Sequence, residues 1–351
     1  MLYTVYWMLD AVYWMLDAGS YGVEMVLFCW YPADSWKDLV VFLTLLAVFP
    51  HTTVFFLTSF HHVIAFGVVF RPRALLRTHI HSTEYGNGMD QAAMMESDML
   101  IVVDENDVIV KNVFVSKKQA HVFNSDQPRG VAHRAFSIFI FNEKNQMLLT
   151  RRADSKITFP GVWTNTCCSH PLHDMSPNEV DHVPAAYPAF PGIKHAAIRK
   201  LKHELGIDPK DIPHEQIRFV SRFHYWAADT KTYGSDAPWG EHEIDYVLFL
   251  KCQHEPIVHA NPDEVDECRY VSIVDLKIMF EEVGLLWSPW FRGIMENGGF
   301  EWWEMLQETI EGKNTNDQVL FFDPPAEHMA VYNLPSHDRF TGVYASAMAS
   351  P

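Results

Sequence analysis

Apolar positions along the chain divide it into unlike stretches. Between residues 39 and 70 no Asp, Glu, Lys or Arg occurs, a run long enough for one transmembrane helix or a hairpin of two short ones. Arg71, Arg73 and Arg77 follow directly, and the positive-inside rule would hold everything after them on the cytosolic or stromal side of a membrane. A cleaved organelle-targeting segment is the other reading of the same run. Before it, residues 1–38 are irregular. They carry VYWMLDA at 5–11 and again at 12–18, a duplication too short to be a structural repeat. After it, 78–98 is polar and without period, which reads as a linker, and 99–310 alternates apolar runs with turn signals as a globular domain does. The stretch 311–351 has no strong period and reads as a loosely attached tail.

Within the globular stretch the pattern predicts elements one at a time. Residues 100–103 and 108–110, split by Asp104 to Asp107, predict two short strands and a turn. AFSIFIFN at 135–142 and QMLLTR at 146–151 predict a hairpin. Residues 194–205 repeat apolar positions at helical spacing (Ala197, Leu201, Leu205), with Gly206 placed to cap the C-terminal end. EIDYVLFLK at 243–251 is the most strand-like run, and 273–282 and 299–310 predict closing helices. Strands around a central helix imply an α/β sandwich of mixed sheet and helices behind a hydrophobic N-terminal extension.

Composition narrows the function classes. A chain of 351 residues can bury a core without disulfides, and its five cysteines, with Cys167 and Cys168 adjacent, show no framework spacing. That usage fits a reducing compartment, cytoplasm or plastid, with an anchor at 39–70 as the membrane alternative. A net charge of −17 argues against a nucleic-acid partner, so an anionic small molecule would need locally gathered cations or a metal. Nothing in the pattern sets an oligomeric state.

Three clusters can carry chemistry. In TNTCCSHP (164–171), an extended backbone puts Cys168 and His170 on one face and Cys167 on the other; alone, such a cysteine reads as a small buried hydrophobe. In GEHEIDY (240–246), Glu241 and Glu243 share a face while His242 points away, and two adjacent carboxylates call for a cation between them. Alone, Glu-x-Glu reads as a solvated edge. His121, His133 and His170 with Glu241 and Glu243 would form a nitrogen and oxygen set suited to a zinc-, manganese- or iron-like ion rather than calcium. On the 194–205 helix, Lys200 and Glu204 lie four apart, a cation beside a carboxylate that can hold magnesium, as a diphosphate requires. Lys117, Arg152 and Lys156 are further basic residues near these clusters.

HRAFSIFIFN, RRADSKITFPGVWTNTCCSHPL, LKHELGI, WGEHEIDYVLF and SPWF, in this order between residues 117 and 303, resemble the type I isopentenyl diphosphate isomerase family. The resemblance implies a Nudix-like fold and interconversion of isopentenyl and dimethylallyl diphosphate in isoprenoid biosynthesis. It implies that Cys168 and Glu243 move protons on opposite faces of the alkene, that Tyr225 assists the glutamate, and that Trp290 lies beside the developing cation. Lys117, Arg152, Lys156 and Lys200 would bind the diphosphate. His121, His133, His170, Glu241 and Glu243 would hold a divalent ion (zinc, manganese or magnesium), Glu204 would meet the magnesium on the diphosphate, and no flavin is implied. Lys200 and His203 stand where Nudix hydrolases carry metal-binding glutamates, which favours isomerase over pyrophosphatase. Two Pro-, Gly- or Asp-rich stretches, 174–192 and 227–240, are candidate lids.

Overall fold

The computed structural model describes residues 91–323 and 325–328, together with the backbone of four short strands nearer the N-terminus. Those four belong to a separate compact unit, Met1–Ile80. β1 (Met15–Asp17) pairs antiparallel with β2 (Glu24–Val26), and β3 (Phe55–Ser59) with β4 (His62–Phe66). The expected transmembrane helix or helical hairpin at 39–70 is therefore not what forms at 55–59 and 62–66, where β-branched and aromatic residues pair as strands. The rest of that stretch lies outside the described residues. Among the described residues no helix is long and apolar enough to cross a membrane.

In the second unit the chain enters through α1 (Gln91–Ser97), a helix where the polar pattern predicts linker. It forms because it is anchored: Met95 is buried, and the Gln91 amide donates to the Asp263 carbonyl at 2.6 Å. β5 (Met99–Val103) and β6 (Ile109–Ser116) make the predicted pair, although β6 runs six residues further, past the exposed Lys111 and Asn112 that interrupt its apolar signal. α2 (Lys117–His121) starts at a capping box in which the Ser116 hydroxyl accepts from the Gln119 N–H.

A ten-stranded mixed sheet follows, built on β7 (His133–Phe141). β8 (Met147–Arg152) turns back from it, but only Phe141 and Met147 pair, so the predicted hairpin opens at once. The freed edge of β7 is taken instead by β10 (Cys167–Ser169), while β9 (Trp163–Thr164) pairs with β8. α3 (Pro191–Leu205) begins three residues before the predicted helix, its first turn held by the Asp181 carboxylate, which accepts from the Gly192 and Ile193 N–H groups at 2.9 Å. Gly206 ends it at φ +63°, as its sequence position predicts. β11 (Arg218–Ala228), α4 (Thr230–Tyr233) and β12 (Gly240–Lys251) come next, then β13 (Val265–Val271) and α5 (Ile273–Glu281). The predicted single helix at 299–310 is broken. α6 (Pro289–Ile294), a π turn (Met295–Gly299), α7 (Phe300–Glu304) and α8 (Leu306–Ile310) replace it, with Gly298 at φ +131° and Met305 outside helical geometry.

β14 (Val319–Phe321) pairs parallel with β11, so this part of the expected loose tail is docked. Residues 329–351 lie outside the described residues. β7 and β12 pair in parallel and divide two apolar layers: Phe139, Phe141, Val247 and Phe249 face the C-terminal helices, whereas Phe136, Ile138, Tyr246 and Leu248 face α3.

Candidate active site

Strand register assembles the first part of the site. Parallel pairing of β7 with β12 sets Glu243 beside His133, and antiparallel pairing of β12 with β11 sets Tyr225 beside Glu243. Three side chains from three strands thus form a row on one face, and the Tyr225 hydroxyl donates to the Glu243 carboxylate. Glu241, two residues earlier, shares that face. Alternation sends His242 to the other side, where its Nε2 lies 2.8 Å from Nε2 of His224.

Three imidazoles close around the two glutamates. α2 brings His121 at its last position, β7 brings His133 at its first, and the residue after β10 is His170. His121 Nε2 lies 3.1 Å and His133 and His170 Nε2 lie 3.9 and 3.8 Å from Glu241 Oε2, while His170 Nε2 is 2.8 Å from Glu243 Oε1. His121 Nε2, His133 Nε2 and Glu241 Oε2 are buried and make no hydrogen bond, though they point at one another. Orphaned donors and acceptors at such depth are costly unless something else satisfies them. His121, His133, His170 and Glu241 each offer an atom within 4.8 Å of the others, a spacing that can hold a metal ion. Nδ1 of His133 lies 2.7 Å from the Val131 carbonyl oxygen, which fixes the tautomer that leaves Nε2 free.

The electrostatics fit that reading. Burial, reinforced by the neighbouring imidazole and lysine, keeps His121 and His170 well below the usual histidine range, and burial lowers His133 to about 4. All three are neutral at pH 7, as ligands must be. Burial, with Asp245 nearby, pushes Glu243 up to about 8, and burial with Glu243 pushes Glu241 well up. Without a cation, the two carboxylates cannot both stay ionised at little cost.

β10 joins the same sheet on the other edge of β7 and brings the two cysteines. Cys167 faces the α3 layer, its thiol donating to Glu204 at 3.4 Å, while Cys168 faces the glutamates across from Ser137. Burial pushes the Cys168 thiol up to about 12, partly offset by Arg152, so the sulfur is protonated at neutral pH. Arg152 is aimed by the carbonyls of Phe159 (2.9 Å) and Thr158 (2.7 Å), and its guanidinium lies 5.6 Å from the Trp290 ring centre. The Trp290 indole N–H donates to Thr164 at 3.0 Å, and the Thr164 and Ser288 hydroxyls lie 2.8 Å apart. Phe159 meets Trp290 edge-on at 5.3 Å.

These groups surround a cleft of about 400 Å³, measured to its open mouth. Of the residues expected from sequence, Cys168, His170, Tyr225, Glu241, Glu243 and Trp290 line it, together with Lys117, Arg152, Lys156, Lys200 and Glu204. His121 and His133 stand behind Glu241. The three lysines are close enough that burial together with Lys156 and Lys200 lowers Lys117. Lys200 bonds Glu204 at 3.0 Å, the predicted four-residue pair, but inside the cleft rather than on a solvated face.

A model of the NUDIX domain matches residues 188–291. The isopentenyl-diphosphate delta-isomerase of Schizosaccharomyces pombe is 44% identical over 226 residues, covering 64% of this chain and 92% of that protein. The chain belongs to the isopentenyl-diphosphate delta-isomerase family. The Candida albicans relative of that name is 42% identical, with 65% of this chain and 81% of that protein covered. The "Isopentenyl-diphosphate Delta-isomerase II, chloroplastic" of Arabidopsis thaliana is 41% identical, with 63% and 74% covered. A solved Nudix hydrolase from Alicyclobacillus acidocaldarius aligns at TM-score 0.34 and 14% identity over 46% of this chain and 89% of that one, too remote to bear on the site.

Within this isomerase-family chain the structure adds residues the sequence left unmarked. Glu264, 3% exposed, accepts from the Lys156 ammonium and lies 3.6 Å from His203. Burial alone would raise its carboxyl, but Lys156, Lys200 and His203 outweigh that and hold it well below the usual range. Ser169 and Thr158 also line the cleft, and the Ser137 hydroxyl donates to Asp245 at 2.7 Å. No local pattern marks Glu264; only its distant partner does. Neither candidate lid lines the cleft. Residues 174–192 pack on the α3 side, where Val180, Val183 and Tyr187 join that core and Arg199 binds Glu179 at 2.6 Å. In 227–240, Asp229 accepts from the Phe159 N–H at 2.8 Å and so buttresses the cleft wall from behind.

Proposed function

We propose that the chain interconverts isopentenyl and dimethylallyl diphosphate, with Cys168 and Glu243 as the proton-moving pair. The observation that carries this is the Cys168 thiol and the Glu243 carboxylate lining one cleft together with four cationic side chains. Adding a proton to the terminal alkene carbon gives a tertiary cation, and removing one from the adjacent methylene gives the internal alkene, so composition is unchanged. Cys168 and Glu243 serve as the two ends of this relay on opposite faces of the alkene. Tyr225 steadies the Glu243 carboxylate, and the Trp290 ring stabilises the cation by about 1–2 kcal/mol in a dry pocket. The buried aromatic wall excludes water that would capture that cation.

The diphosphate is held by Lys117, Arg152, Lys156 and Lys200. Glu204 is positioned to share a magnesium ion with it, and His121, His133, His170, Glu241 and Glu243 would hold a second divalent ion, zinc, manganese or magnesium. When bound, these ions supply charge neutralisation at the diphosphate and fix the ionised form of the glutamate pair. A hydrolase reading is disfavoured by Lys200 and His203, since water activation on several magnesium ions needs carboxylates there. Product analysis with isopentenyl diphosphate and magnesium tests the proposal: dimethylallyl diphosphate is expected, and release of inorganic phosphate without it would overturn it.

Removing the ion has a signed consequence. Glu243 in the ion-free protein titrates near 8 against an ordinary 4.5, so between those values the folded state holds a proton that the unfolded chain has lost. Ion-free stability therefore falls as pH rises through that window, while a bound cation replaces the proton and removes the decline. The Tm gain from adding zinc or manganese to chelated protein is expected to grow between about pH 6 and pH 8. A gain independent of pH would show that the carboxylates are not ligands.

A further inference from the structure

The segment after α8 passes behind the two aromatic residues of the deep cleft. β14 runs parallel to β11, with Phe321 opposite His224, and the next residue, Phe322, is 6% exposed. Its ring lies flat on the Tyr225 ring, 5.2 Å between centres at 10°. On its other side it presses on α6: a Cβ added at Gly293 would come within 2.2 Å of the Phe322 ring. The same helix carries Trp290. Further on, the His328 ring sits 5.9 Å from Phe159, the residue edge-on to Trp290, and His328 Nδ1 lies 3.3 Å from the Ala228 carbonyl oxygen. The segment thus backs Tyr225 directly and Trp290 through α6 and Phe159.

We infer that Phe322 is a positioning residue for the proton relay, holding the Tyr225 phenol in line with Glu243 from outside the cleft. This rests on the isomerase reading above. The phenol reaches Glu243 from a β11 position whose fully buried ring has Phe322 stacked on it and the Trp290 ring centre 6.5 Å away, and an off-axis tilt would move the hydroxyl at the ring's far end most. A flat aromatic neighbour wedged against a glycine of a helix suppresses that tilt. Phe322 touches neither the cations of the diphosphate end nor the imidazoles, so it acts on the chemical step and leaves binding alone.

The test is a two-residue cycle on the full-length, metal-loaded protein. Phe322→Ala is expected to lower kcat about tenfold, the scale of a lost aromatic pair, with KM and inorganic pyrophosphate affinity within about twofold of the parent. In a Tyr225→Phe background the same change should cost less than about twofold, because the hydroxyl it positions is gone. Phe322→Leu, which keeps the volume but not the flat face, covers the case in which the alanine variant fails to fold, and it should show the same direction. Independently of turnover, the tyrosine ring-carbon NMR signal that disappears in Tyr225→Phe should shift in the Phe322 variants while other tyrosine signals stay. Parallel rises in KM and losses of pyrophosphate affinity, full multiplication of the two effects, or an unmoved Tyr225 signal would each overturn the inference. A Tyr225 signal that moves as expected in the Phe322 variants, with no dimethylallyl diphosphate made by the parent, would sink the functional reading and leave the positioning intact.

Discussion

Replacing Cys168 by alanine is expected to lower kcat for isopentenyl diphosphate by about three orders of magnitude, and Glu243→Gln by a similar factor, with both variants folded. Each change removes one end of the proposed relay. A positioned acid or base contributes roughly 10²–10⁴-fold. Glutamine keeps the shape of Glu243 and an acceptor for Tyr225, but it does not take a proton. Because Glu243 also stands beside His170 at 2.8 Å, its variant is to be compared at equal metal content. Cys168 Sγ lies 4.0 Å from Arg152 Nη1, so its variant is to be compared by kcat at saturating substrate. Steady-state kinetics with product identified by chromatography decides this. Activity within about tenfold of the parent in either variant would remove that residue from the relay.

Asp107→Ala is expected to cost about 3–5 kcal/mol of stability without touching the cleft. The residue is fully buried, and its carboxylate accepts from Arg134 Nε at 2.6 Å, from Arg222 Nη1 at 2.6 Å and from the Tyr246 hydroxyl. Arg134 and Arg222 are themselves 1% and 4% exposed, so removing the acid leaves the Arg134 guanidinium without a carboxylate and Arg222 with Asp317 alone. That is the costly way to break a buried ion pair. The network also ties distant segments together. Arg134 reaches the Asp181 carbonyl in the 174–192 stretch, and Arg222 reaches Asp317 at 2.7 Å just before β14. A fall in Tm on the order of 10 °C follows for a domain of this size, measured by circular dichroism. A change under about 1 kcal/mol would mean that water or rearrangement takes over the partnership.

Asp107 also shows where sequence reading runs out. Residues 104–107 read correctly as a turn, but the pattern that marks a turn also marks it as solvated, and the buried acid at its end is invisible until Arg134 and Arg222 arrive from other strands. β11 escaped the periodicity for the same reason: its RFVSRFHYWAA mixes arginine and histidine into a central strand whose charges are paired across the sheet. The helix and cap at 194–206 are legible because all their signals are local, whereas the apolar pattern over 299–310 predicts one helix and gives no sign of the break at Met305. For the site, period-two alternation alone separated Cys168 from Cys167 and Glu241 and Glu243 from His242, and the structure keeps both separations. Lys200 and Glu204 were legible as a helix pair, but whether that pair faced solvent or a cleft was not. Glu264 had no local signature at all. Tyr225 and Trp290 were reachable only by family resemblance, since nothing in their own spacing distinguishes them from core aromatics.

The central claim is that the thiol of Cys168 and the carboxylate of Glu243 exchange protons with one substrate in this cleft. Turnover in heavy water tests it most directly, because a thiol carries the isotope of the solvent into the pocket. The account predicts dimethylallyl diphosphate bearing solvent deuterium in a methyl group, and no deuterated product from the Cys168→Ala variant. Complete conversion with no label from solvent, or labelled product formed at the parental rate by that variant, would contradict it.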